Sequence, residues 1–176
     1  MNRIIFLTGR PGIGKTTALK NIVSILREKG YVVGGMVTSE VREAGRRIGF
    51  EITNLMNNKK GWLANLHGVG PRLGKYRVNL KDLVDVGVNA LEEAIKEADV
   101  IVIDEIGPME LFSEEFKKVV EKALESGKPL VGTIHFRAKD PLIEKIRKNK
   151  NVKILEVTLE NRRFLHWRVA ELLGLT

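Results

Sequence analysis

Gly9, Gly14, Lys15 and Thr16 lie within the run TGRPGIGKTT, Thr8 to Thr17, and satisfy the pattern G-x-x-x-x-G-K-[ST]. Average composition would produce that pattern by accident in a chain of this length on the order of one per cent of the time. Its chemistry is phosphate binding. Glycines let the backbone fold tightly enough for successive N–H groups to point inward at phosphate oxygens. A helix that starts directly after the loop adds its partial positive charge. Lys15 would bring a point charge to the β- and γ-phosphates, and the Thr16 hydroxyl would be a ligand of Mg2+. Thr8, Arg10, Pro11, Gly12, Ile13 and Thr17 complete the predicted nucleotide-binding loop.

The run VIVIDE supplies a second group. Four apolar residues carry Asp104 to the C-terminal end of a central strand, the edge at which ligands of open α/β sheets bind. A carboxylate there can hold Mg2+ through water. Glu105, next in the chain, would point to a different side of the strand end and act as the base for a water attacking the γ-phosphate. A small-metabolite kinase needs instead to exclude water, so the Asp-Glu pair favours hydrolysis over phosphoryl transfer. Lys15 and Glu105 are thus the expected catalytic residues, and Thr16 and Asp104 the metal ligands. Thr133 and His135, at the end of PLVGTIH, could sense the γ-phosphate or orient the water. A cation is needed for the developing charge, with Arg10, Arg137, Arg162 and Arg163 as equal candidates.

These residues need a scaffold of strands and helices to hold them. Continuous apolar runs at 3–9, 31–38, 99–105, 129–135 and 152–158 predict strands buried on both faces. Between them, Leu19, Ile22, Val23 and Leu26 recur at helical spacing, with Gly30 as a C-terminal cap. Leu83 to Ala98 and Phe116 to Leu124 repeat the helical pattern, the latter with Ser113 as N-cap. Asp140-Pro141 opens a further helix, and the last is predicted from about Arg162 to Leu173. The alternation predicts a mostly parallel sheet covered on both faces. From Ser39 to Asn79 the rhythm changes to short alternating strands and turns, read as a small antiparallel hairpin insertion. His67 to Lys75 is expected to be a mobile loop within it.

Composition narrows the setting. The 176 residues suit one domain, 1–176, and hold no cysteine, which excludes disulfides and thiolate metal sites. Neither an apolar run long enough to span a membrane nor a cleavable leader is visible, so a cytoplasmic protein is the expectation. The net charge of +8 admits a polyanionic partner. No block of basic residues and no aromatic–basic interleaving marks a nucleic-acid platform, however, and nucleoside triphosphates account for part of the excess. The 30% of charged residues, rich in Lys, Arg and Glu, is a composition common in thermophiles.

TGRPGIGKTT, VTSEVREAGRRIGFEI, VIDEIGPMEL and VTLENRRFL, in this order and covering essentially the whole chain, resemble the THEP1 family of nucleoside-triphosphatases. The resemblance implies a P-loop NTPase of three-layer α/β/α form with RecA-like strand order and a catalytic Glu. It also implies Mg2+-dependent hydrolysis of ATP, GTP, CTP and UTP to the diphosphate, with loose base selectivity. Thr8 to Thr16 would be the phosphate loop, Asp104 the Mg2+ carboxylate and Glu105 the base. Two other readings stay open: a nucleic-acid-coupled or switch ATPase, and a nucleotide or small-molecule kinase in which Arg72 and Arg77 clamp a second phosphate.

Overall fold

Ile4 and Phe6 face one interior of the protein and Ile5 and Leu7 the other, because successive side chains of a strand point to opposite faces. They form β1 (Ile4–Thr8) in the computed structural model, which describes residues 3–175. The remaining strands are β2 (Val33–Glu43), β3 (Arg46–Asn54), β4 (Lys60–Asn65), β5 (Arg72–Leu73), β6 (Tyr76–Val78), β7 (Val100–Ile106), β8 (Leu130–Ile134) and β9 (Val152–Glu156). They make one sheet in the order β5-β6-β4-β3-β2-β7-β8-β1-β9. From β2 to β9 every pairing is parallel, and from β2 outward to β5 every pairing is antiparallel.

Helices cover both faces of the parallel block. On one, α1 (Lys15–Glu28) and α6 (Leu165–Leu172) press Leu19, Ile22, Leu26 and Val169 against Ile5, Leu7, Val102 and Val131. On the other lie α3 (Asn89–Glu97), α4 (Glu114–Glu125) and α5 (Pro141–Lys148), whose Leu91, Phe116, Val120 and Ile146 pack with Phe6, Ile101, Ile103 and Leu130. Parallel strands sandwiched this way must be apolar throughout, which is why their runs are continuous rather than alternating. Caps set where the helices begin and end. The Ser113 hydroxyl accepts a hydrogen bond from Phe116 N at 3.1 Å, and the Asp140 carboxylate accepts one from Leu142 N at 2.9 Å with Pro141 in the first turn.

Several boundaries differ from the sequence expectation, each for a local reason. Tyr31 belongs to the end of α1 and not to a strand. Its N–H bonds Leu26 O while Gly30 N–H bonds Arg27 O, the paired closure of a Schellman cap. β2 runs on past Thr38 to Glu43 because β3 pairs with it down to Glu43↔Arg46. The segment 67–75, expected to be a loop, contains β5, paired with β6 through Arg72↔Arg77. The apolar pattern from Leu83 onward is indeed helical, but Leu83–Val88 is wound as a π-helix between the short α2 (Leu80–Asp82) and α3. α6 starts at Leu165 and not near Arg162, because Asn161 closes a turn first: its Oδ1 accepts from Thr158 N and its Nδ2 donates to Glu156 O, each at 2.8 Å.

The Ser113 cap is almost fully buried, at 2% exposure. Ser113→Ala should lower the free energy of unfolding by about 1 kcal/mol with an unchanged urea dependence. Unfolding curves identical to those of the parent chain would show that the cap contributes nothing.

Candidate active site

The C-terminal ends of β1, β7, β8 and β9 meet on one edge of the sheet, and the predicted site residues are distributed over them. Thr8 ends β1; its hydroxyl is buried without a hydrogen-bond partner. The loop from Gly9 to Gly14 then leads into α1, with Gly14 at the N-cap in the left-handed region, φ 117°, a backbone shape that L side chains resist. Within the loop Ile13 N bonds Arg10 O at 3.1 Å and the Ile13 side chain is buried against Leu7 and Val157. Arg10, Pro11 and Gly12 are exposed, as is Thr17 on the outer side of the first helical turn. The Lys15 ammonium folds over the loop and donates to Gly9 O at 2.7 Å.

Asp104 is 2% exposed, and side chains of two other elements reach it. The Thr133 hydroxyl of β8, itself fully buried, donates to Oδ1 at 2.7 Å. The Thr16 hydroxyl of α1 stands 3.5 Å from Oδ2. Burial pushes the Asp104 carboxyl up to about 6; the Thr133 hydrogen bond opposes the rise and the neighbouring Glu105 charge adds to it. Thr16 Oγ1 and Asp104 Oδ2 are a hydroxyl and a carboxylate oxygen converging on one point. Among the described residues no group of three or more His, Asp or Glu side chains gathers as a metal cage. A sparse all-oxygen donor set fits a hard divalent cation that keeps several waters and takes its other ligands from phosphate.

Glu105 is half-buried. Burial raises its carboxyl above the ordinary range and the Lys15 charge partly offsets the rise, so it has a stronger hold on a proton than a surface glutamate. Its Oε1 would lie 2.9 Å from a Cβ placed on Gly107, and Glu110 Oε2 would lie 3.2 Å from the same point. Both carboxyls therefore close on Gly107, and a side chain there would have to push them aside. Glu110, on the 3-10 turn Glu110–Phe112, is 4% exposed. Burial raises its carboxyl well above the ordinary range, and the charges of Glu105 and Asp104 add to the rise. Sequence reasoning missed it. Its signal was a glutamate flanked by Met109 and Leu111, a spacing that gives no periodicity over so short a turn.

His135 follows β8, and burial, then the Lys15 and Arg137 charges, lower its pKa. The neutral ring accepts Arg137 N–H at Nδ1, 3.1 Å, which leaves the proton on Nε2. Of the four candidate arginines, Arg162 is the one that touches the loop backbone, with Nη1 3.4 Å from Ile13 O. Arg137 sits beside His135 through its backbone, and Arg10 and Arg163 project into solvent. Arg72 and Arg77 stand opposite each other on β5 and β6 and bond carbonyls of their own hairpin, Gly74 O at 3.1 Å and Gly70 O at 3.4 Å.

A family model described as NTPase matches residues 4–170. The nucleoside-triphosphatase THEP1 of Thermofilum pendens is 50% identical over 161 residues, covering 90% of this chain and 88% of the relative. That of Methanopyrus kandleri is 41% identical, covering 95% and 93%. The crystal structure of THEP1 from Aquifex aeolicus superposes with a TM-score of 0.83 at 34% identity, covering 97% of this chain and 98% of that one. The solution structure of a human cancer-related nucleoside triphosphatase also gives 0.83, at 37% identity, covering 97% and 96%. By sequence over nearly its whole length and by the course of its backbone, the chain belongs to the NTPase family of the THEP1 nucleoside-triphosphatases.

Proposed function

We propose that the chain is a Mg2+-dependent nucleoside-triphosphate phosphohydrolase that converts NTP and water to NDP and phosphate, with ATP, GTP, CTP and UTP all accepted. The observation that carries this reading is the pairing of Asp104 and Glu105 at the end of β7, facing the Lys15 ammonium and the Thr16 hydroxyl. The parallel strands in the order β2-β7-β8-β1-β9 support a RecA-like core, to which β3–β6 would be an insertion. Family membership supports hydrolysis over transfer.

The residues divide the work by their chemistry. Loop amides from Gly9 to Thr16 and the Lys15 ammonium bind the triphosphate tail. Thr16 and Asp104 would hold Mg2+, which supplies charge neutralisation on the β- and γ-phosphate oxygens. Thr133 fixes Asp104 in orientation through its hydrogen bond. Glu105, whose carboxylate gains proton affinity from burial, takes the proton from the attacking water. Arg162, already on the loop backbone, is the arginine placed to meet charge that develops on the phosphate.

A second reading, a nucleic-acid-coupled ATPase, draws on one observation. Arg72 and Arg77 face each other across a strand pair with Lys75 between them in sequence, and none of the three forms an ion pair with a carboxylate among the described residues. Under that reading polynucleotide would stimulate phosphate release several-fold in a salt-sensitive way. Under the favoured one the rate is unmoved.

Glu105→Gln should bind nucleoside triphosphate with near-normal affinity and lose at least about 100-fold in kcat. An undiminished rate of phosphate release would reject Glu105 as the base. Glu110 gives a test by pH. Its folded-state pKa is raised above the ordinary 4.5, so the folded chain binds more protons than the unfolded one above that pH. Its contribution to stability is present at low pH and lost as pH rises through the folded pKa. Without added divalent cation, Tm should fall as pH rises from the acid range towards neutrality, and the fall should be shallower in Glu110→Gln. Equal slopes for the two proteins would mean that Glu110 ionises freely in the fold.

A further inference from the structure

Beside the phosphate loop, at the β9 edge of the sheet, a cavity of about 370 Å3 is lined by Leu155, Leu165 and Phe164 together with Glu156, Glu160, Asn161 and Arg168. Its size lies in the ~300–1,000 Å3 range of small-molecule sites. The chain joins it to the loop twice. Leu155 pairs in register with Leu7 of β1, and two residues on Val157 N bonds Thr8 O at 2.8 Å, where the loop begins. Arg162, on the turn that carries Asn161 and Phe164, lies with Nη1 3.4 Å from Ile13 O and with Cδ 3.8 Å from a Cβ placed on Gly14. One wall of the cavity and one flank of the loop are therefore the same short segment.

The apolar character of that segment calls for an occupant. Leu159, Phe164 and Trp167 are 59%, 61% and 59% exposed, three of the seven large apolar side chains left exposed among the described residues. A planar ring at the mouth of a cavity, next to a triphosphate cradle, offers a face on which a base can stack. Of the polar lining, Asn161 and Arg168 are engaged elsewhere, while the Glu156 and Glu160 side chains are exposed and form no ion pair among the described residues. Asn161 spends Oδ1 on Thr158 N and Nδ2 on Glu156 O, and Arg168 is paired with Glu171 at 3.0 Å. Discrimination between bases requires fixed donors and acceptors. Stacking on an aromatic ring requires only a π-face and accepts every base.

We propose that this cavity is the nucleobase subsite and that Phe164 stacks on the base of the nucleoside triphosphate held by the loop. The assignment rests on the nucleoside-triphosphate reading given above.

The test is an equilibrium titration of the full chain with the non-hydrolysable β,γ-imido analogues of ATP, GTP, CTP and UTP, and with inorganic tripolyphosphate. The parent protein should bind the four analogues with similar affinity and tripolyphosphate more weakly. Phe164→Ala, at an exposed position that the fold tolerates, should weaken all four analogues about tenfold and leave tripolyphosphate unchanged, with Phe164→Trp restoring affinity. Equal loss for tripolyphosphate and nucleotides, or no loss for either, would overturn the subsite. So would a parent protein that binds tripolyphosphate as tightly as nucleotides, an outcome that leaves the triphosphate reading standing. A parent protein that binds neither would overturn both. If Phe164→Ala instead left every affinity intact and converted a self-associating chain to a monomer, the face would be an interface between copies and the proposal would fall.

Discussion

A carboxylate at the end of a central strand, almost wholly removed from water, is the constraint around which the site is built. Burying Asp104 is costly unless the surroundings answer its charge. The answers come from different parts of the chain: the Thr133 hydroxyl of β8, the Thr16 hydroxyl of α1 and the charges beyond it. Because β7 lies between β2 and β8 in the sheet and α1 begins one strand further over, these groups meet only when the parallel block has closed in register. The site is thus a report on the fold. A slip of one residue in β8 would turn Thr133 to the opposite face and leave Asp104 unpartnered.

Clustered beside it are two more acids, Glu105 and Glu110, and the three differ in how firmly each holds a proton. Asp104 is raised to about 6 with a hydrogen bond on one oxygen, Glu105 is raised by burial but tempered by Lys15, and Glu110 is raised well above the ordinary range by its burial, with the Glu105 and Asp104 charges adding to the rise. Three like groups so close cannot all ionise cheaply. Their different surroundings give the same functional group a different character in each, and Gly107, having no side chain of its own, leaves room for the last two to approach it.

Much of the scaffold was legible because parallel strands between two helical layers must be apolar at every position, so IIFL and VIVI could be read directly. The same reasoning placed Asp104 at a strand end, and helix caps at Ser113 and Asp140 followed from side chains that satisfy free amides. What escaped was whatever depends on contacts distant in the chain. Glu110 reads as a surface residue until the turn after β7 is seen to fold inward. Four arginines were equivalent on paper, and only the turn after β9 brings Arg162 to Ile13. The π-helical winding of Leu83–Val88 leaves the apolar spacing helical and so has no signature in sequence, although Gly87 there lies close to Met36 of β2. β2 was read too short because its second half is polar on one side, as an antiparallel pair allows.

The wide sheet also has to end somewhere, and its outer margin is made unattractive to neighbours. β5 is only two residues long and carries Arg72, with Arg77 directly opposite and Lys75 in the turn. A strand arriving from another molecule would find almost no free amide ladder to continue, and positive charge wherever it approached. Natural sheets discourage end-to-end growth with short strands and charged borders of this kind. The same antiparallel extension that widens the sheet thereby carries its own stop, so the enlargement adds little risk of fibrous stacking.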